Sequence, residues 1–287
     1  MHGNPTRTIL LPDGTALPAI GQGTWNMGEK QSSQQEEVRA LRSGIELGMT
    51  VIDTAEMYAE GGAEVVTGKA ISGHRDEVFL VSKVYPHHAD RKQMITACER
   101  SLTRLGTDRL DLYLLHWRGG VPLEETVEAL EQLKQSGKIL RWGVSNLDTR
   151  DMQELWSLPE GSQCMVNQVL YHAASRGIEH DLLPWMRERS VPVMAYCPLA
   201  QGGRLRSELL EHPVIQDIAQ DRGVTTSQIA LAWVISDGDV LAIPKAVQLN
   251  HVADNAAAVN IVLTQEELAR LDEAFPAPKG KVPLDIV

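Results

Sequence analysis

The stretch VIDTAEMY (Val51–Tyr58) decides how the rest of the chain is read. Thr50, Val51 and Ile52 are β-branched and read as a short buried strand, and Asp53 follows at once on the same face as Val51. A carboxylate at the inward end of a core strand is unfavourable unless a cation or hydrogen-bond donors stand beside it. A tyrosine then follows five residues later.

Outward from this stretch the same beat repeats. The runs AIGQGTW, TVIDTA, VFLVSKV, LDLYLLHW, ILRWGVSN, CMVNQVLY, PVMAYCPL and VLAIPK predict eight strands. Amphipathic stretches predict helices over 34–47, 62–71, 91–105, 123–136, 149–157, 178–189, 227–236 and 251–259. Two extra helices are expected over 207–222 and 264–274, the second opening on the capping-box pattern TQEE. At the start, TILLPDGTALP places a turn between two apolar runs and predicts a β-hairpin. Eight evenly spaced βα units without a linker or composition break predict an α/β fold, a (β/α)8 TIM barrel. Residues 1–287 are expected to form one catalytic and cofactor-binding domain. An open doubly wound sheet is the competing arrangement, and the even spacing favours the barrel.

The 287 residues carry a formal charge of −11, which argues against nucleic acid as a partner. Any anionic ligand must be held by a few placed cations or helix N-termini. The N-terminal MHGNPTRTILLPDG lacks a secretory pattern, and no apolar run approaches membrane length. Cys98, Cys164 and Cys197 are odd in number and far apart, so neither a disulfide framework nor a metal site is expected. A reduced cytoplasmic protein follows. His87 and His88 are adjacent in a loop and have no ligand partners in pattern, so no metal is expected. The GQG of Gly21–Gly23 lacks the third glycine of a dinucleotide loop.

Side-chain parity says more. Phe79, Val81 and Lys83 share a face, as do Leu112, Leu114 and His116. Asp53, Lys83 and His116 thus end three consecutive inner rows at the strand C-termini, where barrel enzymes carry their sites. A buried salt bridge at the barrel mouth is the purely structural alternative, but such pairs stabilise weakly. Tyr58 hangs over the same end. A lysine beside a tyrosine is expected to lower its pKa, and Asp53 to keep that lysine charged and aimed. The set reads as a general acid for a carbonyl oxygen, with His116 orienting the substrate. None of these residues donates electrons, so a reduction needs a hydride-carrying cofactor.

In order, DTAEMYAEGGAE, SKV, LDLYLLHW, GVSN, AYCPL and IPKA resemble the aldo-keto reductase family over Ile9–Phe275, and more narrowly its bacterial small-aldehyde or methylglyoxal-reducing members. The resemblance implies NADPH-dependent reduction of small aldehydes and ketones, with Tyr58 as proton donor, Lys83 and Asp53 as its tuning pair and His116 as the carbonyl-orienting group. It implies that Ser145, Asn146 and Gln168 hold the nicotinamide carboxamide and that Tyr196 stacks on the ring. Gly23, Thr24, Trp25, Asp53, Pro198 and Leu199 are implied along the cofactor, Lys245 and His251 at the adenosine 2′-phosphate, and Asn255 at the adenine.

Many family members have arginine where this chain has His251, so the preference for NADP(H) over NAD(H) is expected to be weaker. Trp25, Tyr85, His87 and Trp117 are expected to wall an open substrate pocket, because RGGVPLEE and the tail APKGKVPLDIV leave little to enclose a large substrate. A small-molecule carbonyl substrate and a monomer are expected. Two other readings remain open: a redox-sensing NADP-binding regulatory module on the same fold, and a Schiff-base lyase using Lys83.

Overall fold

Thr8–Leu10 (β1) and Ala16–Pro18 (β2) pair antiparallel, burying Ile9 opposite Leu17, as the turn residues between them predict. A computed structural model describes residues 7–287. The next eight strands are Gln22–Gly23 (β3), Val51–Asp53 (β4), Phe79–Val84 (β5), Leu112–Leu115 (β6), Trp142–Ser145 (β7), Asn167–Leu170 (β8), Val193–Tyr196 (β9) and Val240–Ala242 (β10). All eight run parallel in sequence order. A parallel bridge from Ile20 to Ala242 joins the two ends of the sheet, and the Gly23 N–H donates to Pro244 O at 3.0 Å. The sheet is therefore a closed barrel, and its strands are buried almost throughout, as parallel strands covered by helices must be.

The helices are Gln34–Glu46 (α1), Gly62–Ile71 (α2), Arg91–Leu105 (α3), Leu123–Gln135 (α4), Thr149–Ser157 (α5), Leu182–Arg187 (α6), Gly203–Leu210 (α7), Pro213–Arg222 (α8), Thr226–Val234 (α9), Leu249–Ala257 (α10) and Gln265–Ala274 (α11). One expectation is corrected here. The helix expected over 207–222 is two helices, so three helices rather than two lie outside the eight βα units. Pro213 has no N–H for an interior helical bond and starts a new helix instead, with His212 Nδ1 accepting from the Val214 N–H at 3.4 Å. Pro184 likewise confines α6 to a shorter span than the expected 178–189, because proline is tolerated only in a first turn.

The hairpin lies at the N-terminal ends of the strands. Arg141, just before β7, donates to Asp13 of the hairpin turn at 2.5 Å. The C-terminal ends are thereby left to the loops that carry Tyr58, Trp117 and Asn146. Among the described residues no helix is long and apolar enough to cross a membrane.

Candidate active site

The parallel register sets Asp53 at the end of β4 beside Val81, and Lys83 beside Leu114. Lys83 Nζ has three neighbours in hydrogen-bond range: Asp53 Oδ2 at 2.7 Å, Thr54 O at 2.9 Å and Tyr58 Oη at 3.0 Å. Three acceptors match the three N–H bonds of an ammonium. The lysine side chain is 0% exposed and that of Asp53 3%, so the pair is held together out of water. Gln168 donates to the other carboxylate oxygen, Asp53 Oδ1, at 2.8 Å, which fixes the carboxylate plane.

Just past Tyr58 the chain turns sharply into α2. Ala59 and Glu60 take φ of 50° and 52°, and Gly61 takes 90°. Left-handed conformations cost non-glycine residues about 1–2 kcal/mol each. Strain at such a place is held only where the surrounding structure fixes it. Gly61, at φ 90°, is in a conformation that favours glycine, and a Cβ there would also press on the Arg104 side chain at 2.5 Å. His116 lies one residue beyond β6 and anchors to Val84 O through its N–H at 3.0 Å; its ring sits edge-on to Tyr58 with centroids 5.7 Å apart.

The electrostatics differ from the sequence expectation in one respect. Burial pushes the Tyr58 phenol well above its ordinary range, and the negative charge of Asp53 pushes it further. Lys83 was expected to lower it; burial and the carboxylate prevail instead. Burial pulls Lys83 below its usual value, with Asp53 and Glu64 acting against that shift. His116 is driven down to about 2 by burial and by the Lys83 charge, so its ring is neutral at physiological pH. Lys83 has all three N–H directions occupied, an arrangement that suits an ammonium and conflicts with a Schiff-base nucleophile.

Two linked cavities and a small pocket adjoin this cluster. The first, about 270 Å³, runs from Asp53, Tyr58, Thr24 and Trp25 past Gly23, Tyr196, Pro198 and Leu199 to Lys245. A second, about 260 Å³, continues from Leu199 and Lys245 to His251 and Asn255. The pocket, about 80 Å³, lies between Trp25, Met57, Tyr58, His116, Trp117 and Val287, with Ser145, Asn146, Gln168 and Tyr196 behind. Asn146 takes φ of 56°, donates to His116 O at 3.2 Å and accepts from the Tyr196 hydroxyl at 2.9 Å. Ser145 donates to Gln168 O at 2.8 Å.

Tyr85 and His87 do not line the pocket. They stack on one another with centroids 4.7 Å apart, and Tyr85 meets Trp117 edge-on at 6.0 Å, so they buttress that wall from outside. The tail was expected to leave the pocket open, yet Val287 lines it. The tail is held across the barrel mouth by Lys281, which pairs with Asp148 and, at 2.8 Å, with Asp181, and by Asp285, which accepts from Ser175. Sequence reasoning also missed Cys197 and Arg206 on the cavity wall. Cys197 takes φ of 49°, and burial pushes its thiol up to about 11.

The paired cavities suit a phosphate-bearing dinucleotide. A Cβ at Gly23 would meet Ile243 O at 2.8 Å, so the groove floor depends on glycine there. The outer cavity is lined by Arg206, Lys245 and His251 with no carboxylate, in a chain whose net charge is −11. It also includes Gln248, the N-cap of α10, a helix start without a side-chain cap. Helix N-termini favour anions.

Comparison with known proteins agrees with this geometry. The methylglyoxal reductase YeaE of Escherichia coli K12 is 61% identical over 98% of this chain and 99% of its own length. The glyoxal reductase of Bacillus subtilis is 32% identical over 92% of this chain and 91% of its own. The crystal structure of an aldo-keto reductase from Klebsiella pneumoniae in complex with NADPH superposes with a TM-score of 0.97 at 60% identity, covering 99% of this chain and all of that one. The Aldo/keto reductase family model matches residues 19–275, and the chain belongs to that family.

Proposed function

We propose that this protein reduces small aldehydes and ketoaldehydes, methylglyoxal and aryl aldehydes among them, to alcohols, with NADPH as hydride donor and Tyr58 as proton donor. The observation that carries the reading is the bond from the fully buried Lys83 ammonium to the Tyr58 oxygen. A phenol oxygen that accepts from an ammonium keeps its own proton for the pocket. NADPH, when bound, supplies the hydride.

The resting phenol is a weak acid, and it gives up its proton only to a stronger base. A carbonyl oxygen gaining alkoxide character is such a base. As the proton leaves, the Lys83 ammonium stabilises the phenolate, and Asp53 holds Lys83 in place and charged. Neutral His116 offers an N–H to the same oxygen and orients it. Ser145, Asn146 and Gln168 would hold the nicotinamide carboxamide, and Tyr196 would lie against its ring. Lys245 and His251 would meet the 2′-phosphate, and Asn255 the adenine. The small pocket between Trp25 and Trp117 favours substrates of few heavy atoms.

We place this activity in one catalytic and cofactor-binding domain of a cytoplasmic monomer; the three unpaired cysteines are consistent with a reducing compartment. NADPH consumption against a panel of carbonyls tests the reading. Small aldehydes and ketoaldehydes are expected to be reduced with the highest kcat/KM. Faster turnover of bulky steroid ketones would refute the pocket assignment.

A further inference from the structure

The Tyr58 hydroxyl has one hydrogen-bond partner among the described residues, Lys83 Nζ at 3.0 Å. Lys83 is fixed independently by Asp53 and Thr54 O, so that contact depends on what holds the chain around Tyr58. Tyr58 stands between β4 and α2. The turn into α2 carries three consecutive residues at positive φ, a conformation that persists only where the surroundings fix it.

Glu64, in the first turn of α2, is a carboxylate whose side chain is 0% exposed. Its Oε1 accepts from Ser82 Oγ at 2.6 Å, and its Oε2 from Arg104 Nε at 2.6 Å. Ser82 immediately precedes Lys83 on β5, and alternation turns its side chain to the helices while Lys83 points into the barrel. Arg104, on α3, also donates to Ser101 Oγ at 3.2 Å, and its side chain lies against Gly61. One carboxylate thus joins the start of α2, the strand that carries Lys83, and α3. Stability alone does not call for a buried ion pair here, since apolar side chains of similar volume commonly stabilise as well or better. Glu64, Ser82 and Arg104 all lie outside the linings of the two cavities and the small pocket.

We propose that Glu64 is a positioning residue for proton transfer, a role that rests on the proton-donor reading given above: it clamps α2 to β5 and so holds Tyr58 within hydrogen-bond distance of Lys83. Its charge works to the same end, because together with Asp53 it favours the ammonium form of Lys83. Misplacing a reacting group by about 1 Å costs about a hundredfold in rate, which sets the scale of the effect.

The test is a double-mutant cycle on the full chain, assayed below the melting temperature of each variant. Glu64→Gln leaves one oxygen for two donors and opens the clamp. It is expected to lower kcat for methylglyoxal reduction by about ten- to a hundredfold, with the Kd for NADPH within about twofold of wild type. Added to Tyr58→Phe, the same change is expected to alter the residual kcat by no more than about twofold, because the contact it serves is already gone. Ser82→Ala opens one arm of the clamp without changing charge. A smaller loss is expected there, again absent in the Tyr58→Phe background, and this variant decides alone if Glu64→Gln does not fold. A wild-type kcat with a lowered melting temperature would overturn the proposal and make Glu64 a structural residue. An equal fold-loss in both backgrounds, or a matching loss of NADPH affinity, would overturn it too. If Tyr58→Phe alone retained wild-type kcat, the proton-donor reading itself would fail, and this proposal with it.

Discussion

Replacing Asp53 with Asn removes the one charge in direct contact with a wholly buried ammonium. Of the three groups Lys83 contacts, Thr54 O and Tyr58 Oη are neutral, and only Asp53, at 2.7 Å, carries charge. Breaking a buried pair by neutralising one partner costs about 3–5 kcal/mol. Asparagine has nearly the same volume and keeps one carbonyl oxygen for Lys83, so the lower end, about 3 kcal/mol, is expected. The loss also has a pH signature. Burial already holds Lys83 below its usual value, and without Asp53 it falls further. Between the folded and unfolded pKa values the unfolded chain binds more protons, so stability rises with pH in that window, by up to about 1.4 kcal/mol per unit. For D53N the window opens at lower pH than in the wild type. Its deficit is expected to shrink as pH rises from about 7 towards the unfolded lysine value near 10. Urea denaturation followed by tryptophan fluorescence at several pH values measures this directly. A deficit below about 1 kcal/mol, or one that does not change with pH, would refute the picture of an ammonium stabilised by Asp53.

Other outcomes follow from the same geometry. With His116 held near 2 and the Tyr58 phenol above its usual range, kcat/KM for reduction is expected to be flat from about pH 5 to 9; an inflection near 6.5 would show that His116 titrates normally. The depressed His116 value also means that stability is lost as pH falls below about 6.5, where the unfolded histidine binds a proton the folded ring refuses. Lys245→Ala is expected to raise KM for NADPH far more than KM for NADH, and equal effects in steady-state assays would remove Lys245 from the 2′-phosphate. Glu60→Gly relieves a left-handed residue at φ 52° and is expected to be neutral or stabilising by up to about 1 kcal/mol. A loss above about 1 kcal/mol in thermal melts would show that the turn is not strained there.

Asp53, Lys83 and His116 were legible because strand parity is a local property: each ends an inner row at the same end of consecutive parallel strands. That Tyr58 joins them depends on how the loop between β4 and α2 folds, which no residue preference announces, yet the five-residue gap after Asp53 points the right way. Pro213 was a local signal for the break between α7 and α8 and was overlooked inside an otherwise helical pattern. Val287 in the pocket was not legible, because it depends on contacts such as Lys281 with Asp148 and Asp285 with Ser175 that join distant parts of the chain. The direction of the Tyr58 shift was misjudged because depth of burial is a tertiary quantity. A sequence shows that Lys83 is near; it does not show how little water remains.

The central claim is that the Tyr58 hydroxyl delivers the proton. Tyr58→Phe removes that oxygen and little else, and it leaves the Lys83–Asp53 pair in place. Measured side by side, methylglyoxal reduction with NADPH is expected to fall by about 10²- to 10⁴-fold in kcat, the usual worth of a general acid, while NADPH affinity stays within about twofold. A variant that keeps more than about a tenth of wild-type kcat would contradict the account.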